Sequence, residues 1–240
     1  MSLTNLSKTP DPRHKTLYRL GALAGILSAL SIAFAIVAYF IWPYKGNTTS
    51  IEAIFNILQT DRLGALISLD VSMLVIGPIT ILMFVALYIA LWKIDEALAL
   101  IALILTLLAI GLVIVCRPLV ELVMLSDQYA AATDAAEKVR FLAAGEVLRT
   151  QLDGTAWTMQ TAFFMIAGLV NSTLMLRARF FSKATAWLGI VISAAGLGFF
   201  LPGIGLLLLF FNTIGSVPWC LLVARDLLRM AGKCQTANVR

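Results

Sequence analysis

The sequence predicts an all-α fold: a polytopic membrane bundle of six transmembrane helices with two short extracytoplasmic helices. Three observations carry this. Hydrophobic residues fill 60% of the chain and charged residues only 13%, with a mean hydropathy of +0.93, whereas a soluble domain carries ~25% charge. The apolar residues are gathered into runs long enough to cross a bilayer, which takes ~20 residues. The basic residues stand at the ends of those runs and form no patch of their own, so the net charge of +5 does not point to nucleic acid.

Residues 1–17 are polar, with Pro10, Pro12 and several cations, and read as a disordered cytoplasmic tail. The first span covers about 18–42. It is longer than a signal-peptide core and no small-x-small cleavage site follows, so it reads as a retained helix. Gly21-x-x-x-Gly25 and Ser28 lie on it at helical spacing, where small residues let backbones approach closely in lipid. Pro43 ends it. Thr49 with Glu52 resembles a capping box that opens a short helix, roughly 50–60, on the membrane surface.

The second span, about 63–92, is thirty residues without a Lys or an Arg, and holds one acid, Asp70, and one kink signal, Gly77-Pro78. A tight turn, Lys93 to Glu96, leads to the third span at about 97–125, which Arg117-Pro118 should bend near its end. Asp134 with Glu137 is a second N-cap signal. The apolar positions Val139, Leu142, Val147 and Leu148 then give a helix over about 134–150, outside the hydrocarbon. The fourth span covers about 154–176, and a basic loop closes at Lys183. The fifth covers about 184–201, Pro202-Gly203 makes a turn, and the sixth covers about 204–224. Residues 225–240 read as a basic cytoplasmic tail.

Orientation follows from the Lys and Arg count on each side. With a cytoplasmic N-terminus, twelve of the eighteen basic residues fall inside, and only Lys45, Arg62, Arg117, Lys138, Arg140 and Arg149 fall outside. Six spans then put both termini in the cytoplasm. On the same topology Cys116 lies near the outer surface, with Cys220 and Cys234 near the inner one. No pair is expected to meet across a membrane, and no disulfide within the chain is expected.

The chain resembles the DUF4386 group of bacterial six-span membrane proteins. The resemblance rests on the second-span ending Ala86-Leu-Tyr-Ile-Ala-Leu91, the Leu-Ala-Leu start of the third span, and the joint Gly168…Leu174-Met-Leu-Arg177…Trp187-Leu-Gly189. It implies the fold and a bacterial cytoplasmic (inner) membrane location, and no activity.

The candidate functional residues are the polar groups inside the spans, since an ionisable side chain in lipid is costly. Asp70 lies about 24 residues before the centre of the 93–96 turn and Arg117 about 23 after it. At ~1.5 Å per residue the two reach nearly one height. They either pair and brace spans two and three, or reach the outer headgroups separately, or Asp70 serves a transport or proton-relay role. Along span four, Asp153, Gln160 and Asn171 return to one helical face with Trp157, Phe164 and Gly168. Span two offers Asp70, Gly77, Phe84 and Tyr88, and span six adds Asn212 and Ser216. These stripes give either interhelical hydrogen bonds or a polar-walled pocket lined by Asp70, Tyr88, Arg117, Asp153, Trp157, Gln160, Asn171 and Asn212.

No motif names a reaction. The lone His14 lies in the tail, so no Ser/His/Asp set forms and a zinc site is not expected. No HExxH, CxxC or phosphate loop occurs, and no cofactor is expected. Two functional classes follow. One is an integral membrane protein that binds or moves a small or lipidic molecule within the bundle. The other is a non-catalytic structural or regulatory membrane partner acting through its outer helices. An intramembrane enzyme would need converging acids. A transporter predicts a deep polar cavity; a partner role predicts a packed bundle and an exposed apolar patch on the outer helices.

Overall fold

The computed structural model describes residues 12–42 and 49–237, without the side chains of 12 and 234–237. Most of the expected N-terminal tail, Pro43 and the side chain of Cys234 lie outside the described residues. Ten α-helices are present among those described: α1 (Lys15–Ile41), α2 (Ile51–Thr60), α3 (Arg62–Ser68), α4 (Val71–Leu91), α5 (Glu96–Val115), α6 (Leu119–Ala131), α7 (Ala135–Gln151), α8 (Thr155–Arg177), α9 (Lys183–Leu197) and α10 (Gly205–Ala237). No strand occurs among the described residues. Six helical stretches are long and apolar enough to cross a membrane, as the sequence predicts.

Three local features differ from the sequence reading. The thirty-residue run is not one helix: it breaks after Ser68, and α4 starts at Val71. Asp70 stands in the break with φ 65°, a left-handed backbone that Asp tolerates better than most residues. The cap of α2 is Ser50, not Thr49; its hydroxyl accepts from Ala53 N at 3.3 Å. α10 continues through 225–237, because Leu227 and Met230 carry its buried face past the point where charges begin.

The chain separates into two compact units. The first comprises Met1–Ala33, Ile76–Ala109 and Thr161–Arg240. Its core gathers Tyr18, Met83, Leu87, Leu174, Val223 and Met230. With no hydrophobic drive between helices in lipid, close approach and interhelical hydrogen bonds set the packing. The α1/α4 crossing shows both. A Cβ on Gly21 would collide with that of Ala86. Two turns on, Ser28 and Thr80 share a 2.8 Å hydrogen bond, while each donates or can donate to its own helix at Ala24 O and Ile76 O. The Gly21-x-x-x-Gly25 pattern is therefore used within the chain.

The α8/α9 crossing is a reciprocal seam. Gly168-x-x-x-Ser172 runs against Gly189-x-x-x-Ser193. A Cβ on Gly168 would strike Ser193 Oγ, and one on Gly189 would strike Ser172 Oγ and Trp219 Nε1. Each glycine meets the serine of the other helix, so one antiparallel register fixes both contacts.

The second unit comprises Phe34–Val75 and Ile110–Gln160. Its core is built by Ile51, Ile54, Phe55 and Leu58 of α2 with Leu119 and Leu122 of α6. The apolar face of α2 is thus covered by protein. Ser126 Oγ donates to Phe55 O at 3.0 Å, and Gln59 Nε2 donates to Ser126 Oγ at 2.9 Å and to Asp127 at 2.8 Å. α7 begins where predicted: Asp134 caps it, accepting from Ala136 N at 3.2 Å.

Candidate functional site

Three interruptions of the helices meet in the second unit: residues 69–70 between α3 and α4, 116–118 between α5 and α6, and 152–154 between α7 and α8. Arg117 joins them. Pro118 cannot continue a helix and biases the residue before it towards extended backbone. Every helix end leaves carbonyls without an intrahelical donor, and Arg carries five N–H donors with no acceptor. Its Nη1 donates to Leu152 O at 2.8 Å and to Cys116 O at 3.1 Å. Its Nη2 donates to Asp70 Oδ2 at 2.9 Å. The guanidinium lies 4.5 Å from the centroid of the Trp157 ring, a geometry in which the ring face attracts the cation.

Exposure within the pair is unequal: 5% for the Arg117 side chain and 37% for Asp70. The cation is enclosed and neutralised, and the carboxylate forms the open edge. Of the three readings for Asp70, the structure shows the pair. With both of its carbonyl partners and the aromatic face in place, Arg117 acts as a cross-brace.

The rest of the candidate set divides. Asp153 is exposed and precedes α8 rather than sitting on it, and Gln160 is buried. Tyr88, Asn171 and Asn212 belong to the other unit. There, Asn212 Nδ2 donates to Ile192 O at 2.8 Å and approaches Met165 Sδ at 3.3 Å, an interhelical hydrogen bond between α9 and α10. Phe84 packs edge-on to Phe164 at 5.5 Å and lies 6.4 Å from Trp219. Ser172 Oγ and Trp219 Nε1 are buried with no hydrogen-bond partner. Among the described residues no group of three or more His, Cys, Asp and Glu could hold a metal.

Sequence reasoning missed two groups. The Leu152 carbonyl carries no side-chain signal. Asp226 does, as the one acid in a basic stretch. It is 1% exposed. Its Oδ2 accepts from Ser182 N at 3.0 Å and Thr185 Oγ1 at 2.6 Å, and its Oδ1 accepts from Arg225 at 3.0 Å. It ties the 178–182 turn to α10.

These observations define a multi-pass, all-α membrane protein with a buried, cross-braced arginine in its second unit. Compared with known proteins, the chain matches no family model, no curated protein and no solved structure.

Proposed function

We propose that the chain is a non-catalytic structural or regulatory membrane partner acting through its outer helices. It sits in a bacterial cytoplasmic membrane with both termini inside, as the distribution of Lys and Arg suggests, and membership of the DUF4386 group rests on the motifs quoted above. The observation that carries the reading is the open face of α7. Val139 and Val147 are 65% and 67% exposed, and exposed Ala143 stands midway between them, so an apolar strip eight residues long, about 12 Å, faces away from the unit's own core. A row of exposed apolar side chains flanked by Lys138, Arg140 and Glu146 supports contact with another molecule along this face of α7. The close seams of the first unit support the same reading, because polar groups there are spent on helix packing.

Photocrosslinking tests it. A photoreactive side chain at position 139 or 147, in intact cells, should give a discrete protein adduct, and one at Glu137 should give none. Adducts to lipid alone at 139 and 147 would refute the partner reading.

A second reading, binding or moving a small or lipidic molecule within the bundle, is favoured by one observation. Ser172 Oγ and Trp219 Nε1 are buried, unpartnered and both adjacent to Gly189, and buried polar atoms are normally satisfied. A molecule that co-purifies with the chain and is lost in Trp219→Phe would establish it. Identical extracts from both proteins would remove it.

A further inference from the structure

The first unit carries a second charged feature, at the end of the bundle that holds the 178–182 turn. Arg177, Arg179 and Lys183 border the turn and are exposed. Arg225 and Arg229 reach the same place from α10, with side chains 40% and 62% exposed. The single acid among them is Asp226, and it is enclosed. Its four short contacts go to Ser182 of the turn, Thr185 of α9 and Arg225 of α10.

Burial of Asp226 has two consequences. It leaves the exposed side chains there of one sign, five cations against a single enclosed carboxylate that Arg225 and Arg229 share. It also sets the arginines in place: Arg225 bonds Asp226 through Nε and Nη2 and gives Nη2 to Ser182 Oγ at 2.9 Å, its side chain staying 40% exposed. Arg229 Nη1 stands 3.7 Å from the same carboxylate. The other acids of this unit's neighbouring hairpin, Asp95 and Glu96, open α5, where Asp95 accepts from Leu98 N at 3.1 Å.

Two of the cations, Lys183 and Arg225, also have exposed apolar neighbours one helical turn away. Trp187 follows Lys183 by four residues and is 57% exposed; Leu221 precedes Arg225 by four, at 45%, and Leu228 follows it by three, at 47%. Cations beside exposed apolar side chains match the headgroup level of a bilayer, with phosphate against the former and acyl chain against the latter. We propose that this cluster of Arg179, Lys183, Arg225 and Arg229 binds the headgroup of an anionic phospholipid, whose acyl chains lie along Trp187, Leu221 and Leu228. The guanidiniums supply the bidentate geometry that phosphate oxygens accept.

The test uses the full chain purified in detergent, with phosphatidylglycerol or phosphatidylcholine added to the micelles. Phosphatidylglycerol should raise the melting temperature and phosphatidylcholine should not. In the triple variant Arg179→Gln, Lys183→Gln, Arg229→Gln, affinity for phosphatidylglycerol should fall on the order of a hundredfold, since each cation near a surface of anionic lipid contributes appreciably. Its lipid-free melting should fall little, because the hydrogen bonds of Asp226 to Ser182, Thr185 and Arg225 are untouched and the one ion pair lost, Arg229 at 3.7 Å, is an exposed one. Neutralising Lys138 and Arg140 on α7 should leave the lipid effect intact. Should the triple variant fail to fold, Lys183→Gln alone, read by lipid retained in native mass spectrometry, replaces it. An equal shift with phosphatidylcholine, full lipid retention by either variant, or the same shift with inorganic phosphate at matched concentration would each overturn the proposal.

Discussion

Replacing Asp70 separates two energies that meet at one residue. The first is the ion pair. Removing one partner of a fully buried pair costs ~3–5 kcal/mol. Here the pair is only half enclosed: Arg117 is 5% exposed but Asp70 is 37%, so solvent takes part of the load. Arg117 also keeps Leu152 O, Cys116 O and the Trp157 face. The loss should therefore be about 1–3 kcal/mol. The second energy is backbone strain. At φ 65° a residue with an ordinary Cβ costs ~1–2 kcal/mol, and Asn or Gly escapes most of that. Asp70→Ala then loses both terms, whereas Asp70→Asn and Asp70→Gly lose the pair alone. The expected order of stability is wild type, then Asn and Gly together, then Ala lower by about 1 kcal/mol. Arg117→Ala should be the worst, at ~3–5 kcal/mol, since it leaves two buried carbonyls and a carboxylate unmet. Exchanging the two residues should not restore stability: a carboxylate at 117 would face Leu152 O, Cys116 O and an aromatic face, which all ask for a cation. Thermal or denaturant unfolding of the purified protein measures all five variants. Asp70→Ala equal to Asp70→Gly, or a full rescue by the exchange, would refute the reasoning.

Other consequences follow from the same geometry. Asp226→Ala should lower stability by ~2–4 kcal/mol, because it strands Ser182 N and Thr185 Oγ1 and sets two arginines adrift; proteolysis in the 178–182 turn should accelerate with it. Gly189→Val should disrupt the α8/α9 seam, where even a Cβ meets Ser172 and Trp219, at a cost of about 1–3 kcal/mol for overpacking, read from the melting temperature. Ser172→Ala should be neutral or stabilising in the same assay, since its hydroxyl is buried without a partner. Asp134→Ala should cost about 1 kcal/mol as the loss of the α7 cap, seen as faster hydrogen exchange over 135–138.

The six spans were legible because bilayer thickness sets a length, and length survives in composition. The Asp70–Arg117 pair was legible for a related reason: rise per residue turns sequence separation into depth, and the 93–96 turn supplied the origin. The break at Asp70 was not legible. No Gly or Pro marks it, and nothing in an apolar run says that a lone Asp will adopt a left-handed backbone to reach a cation on another helix. The α8/α9 seam is readable in principle, as two Gly-x-x-x-Ser steps in adjacent spans, but the stripe and the joint in which Gly168 stands do not by themselves set it against Ser193. Asp226 was hidden by its neighbours. Among arginines it looks like a solvated charge, and only the return of the 178–182 turn encloses it. Of the polar stripe on span four, Asp153 fell away because α8 starts after it.

The six-span reading itself has a direct measurement. In a protein whose native cysteines are replaced, a single cysteine is placed at Arg140 or at Arg179, on either side of α8. A membrane-impermeant thiol reagent applied to intact cells should label position 140 and should reach position 179 only after permeabilisation. Labelling of both positions from one side would contradict a membrane crossing by α8, and with it the topology on which the outer helices, the braced arginine and the lipid-facing cations have been placed.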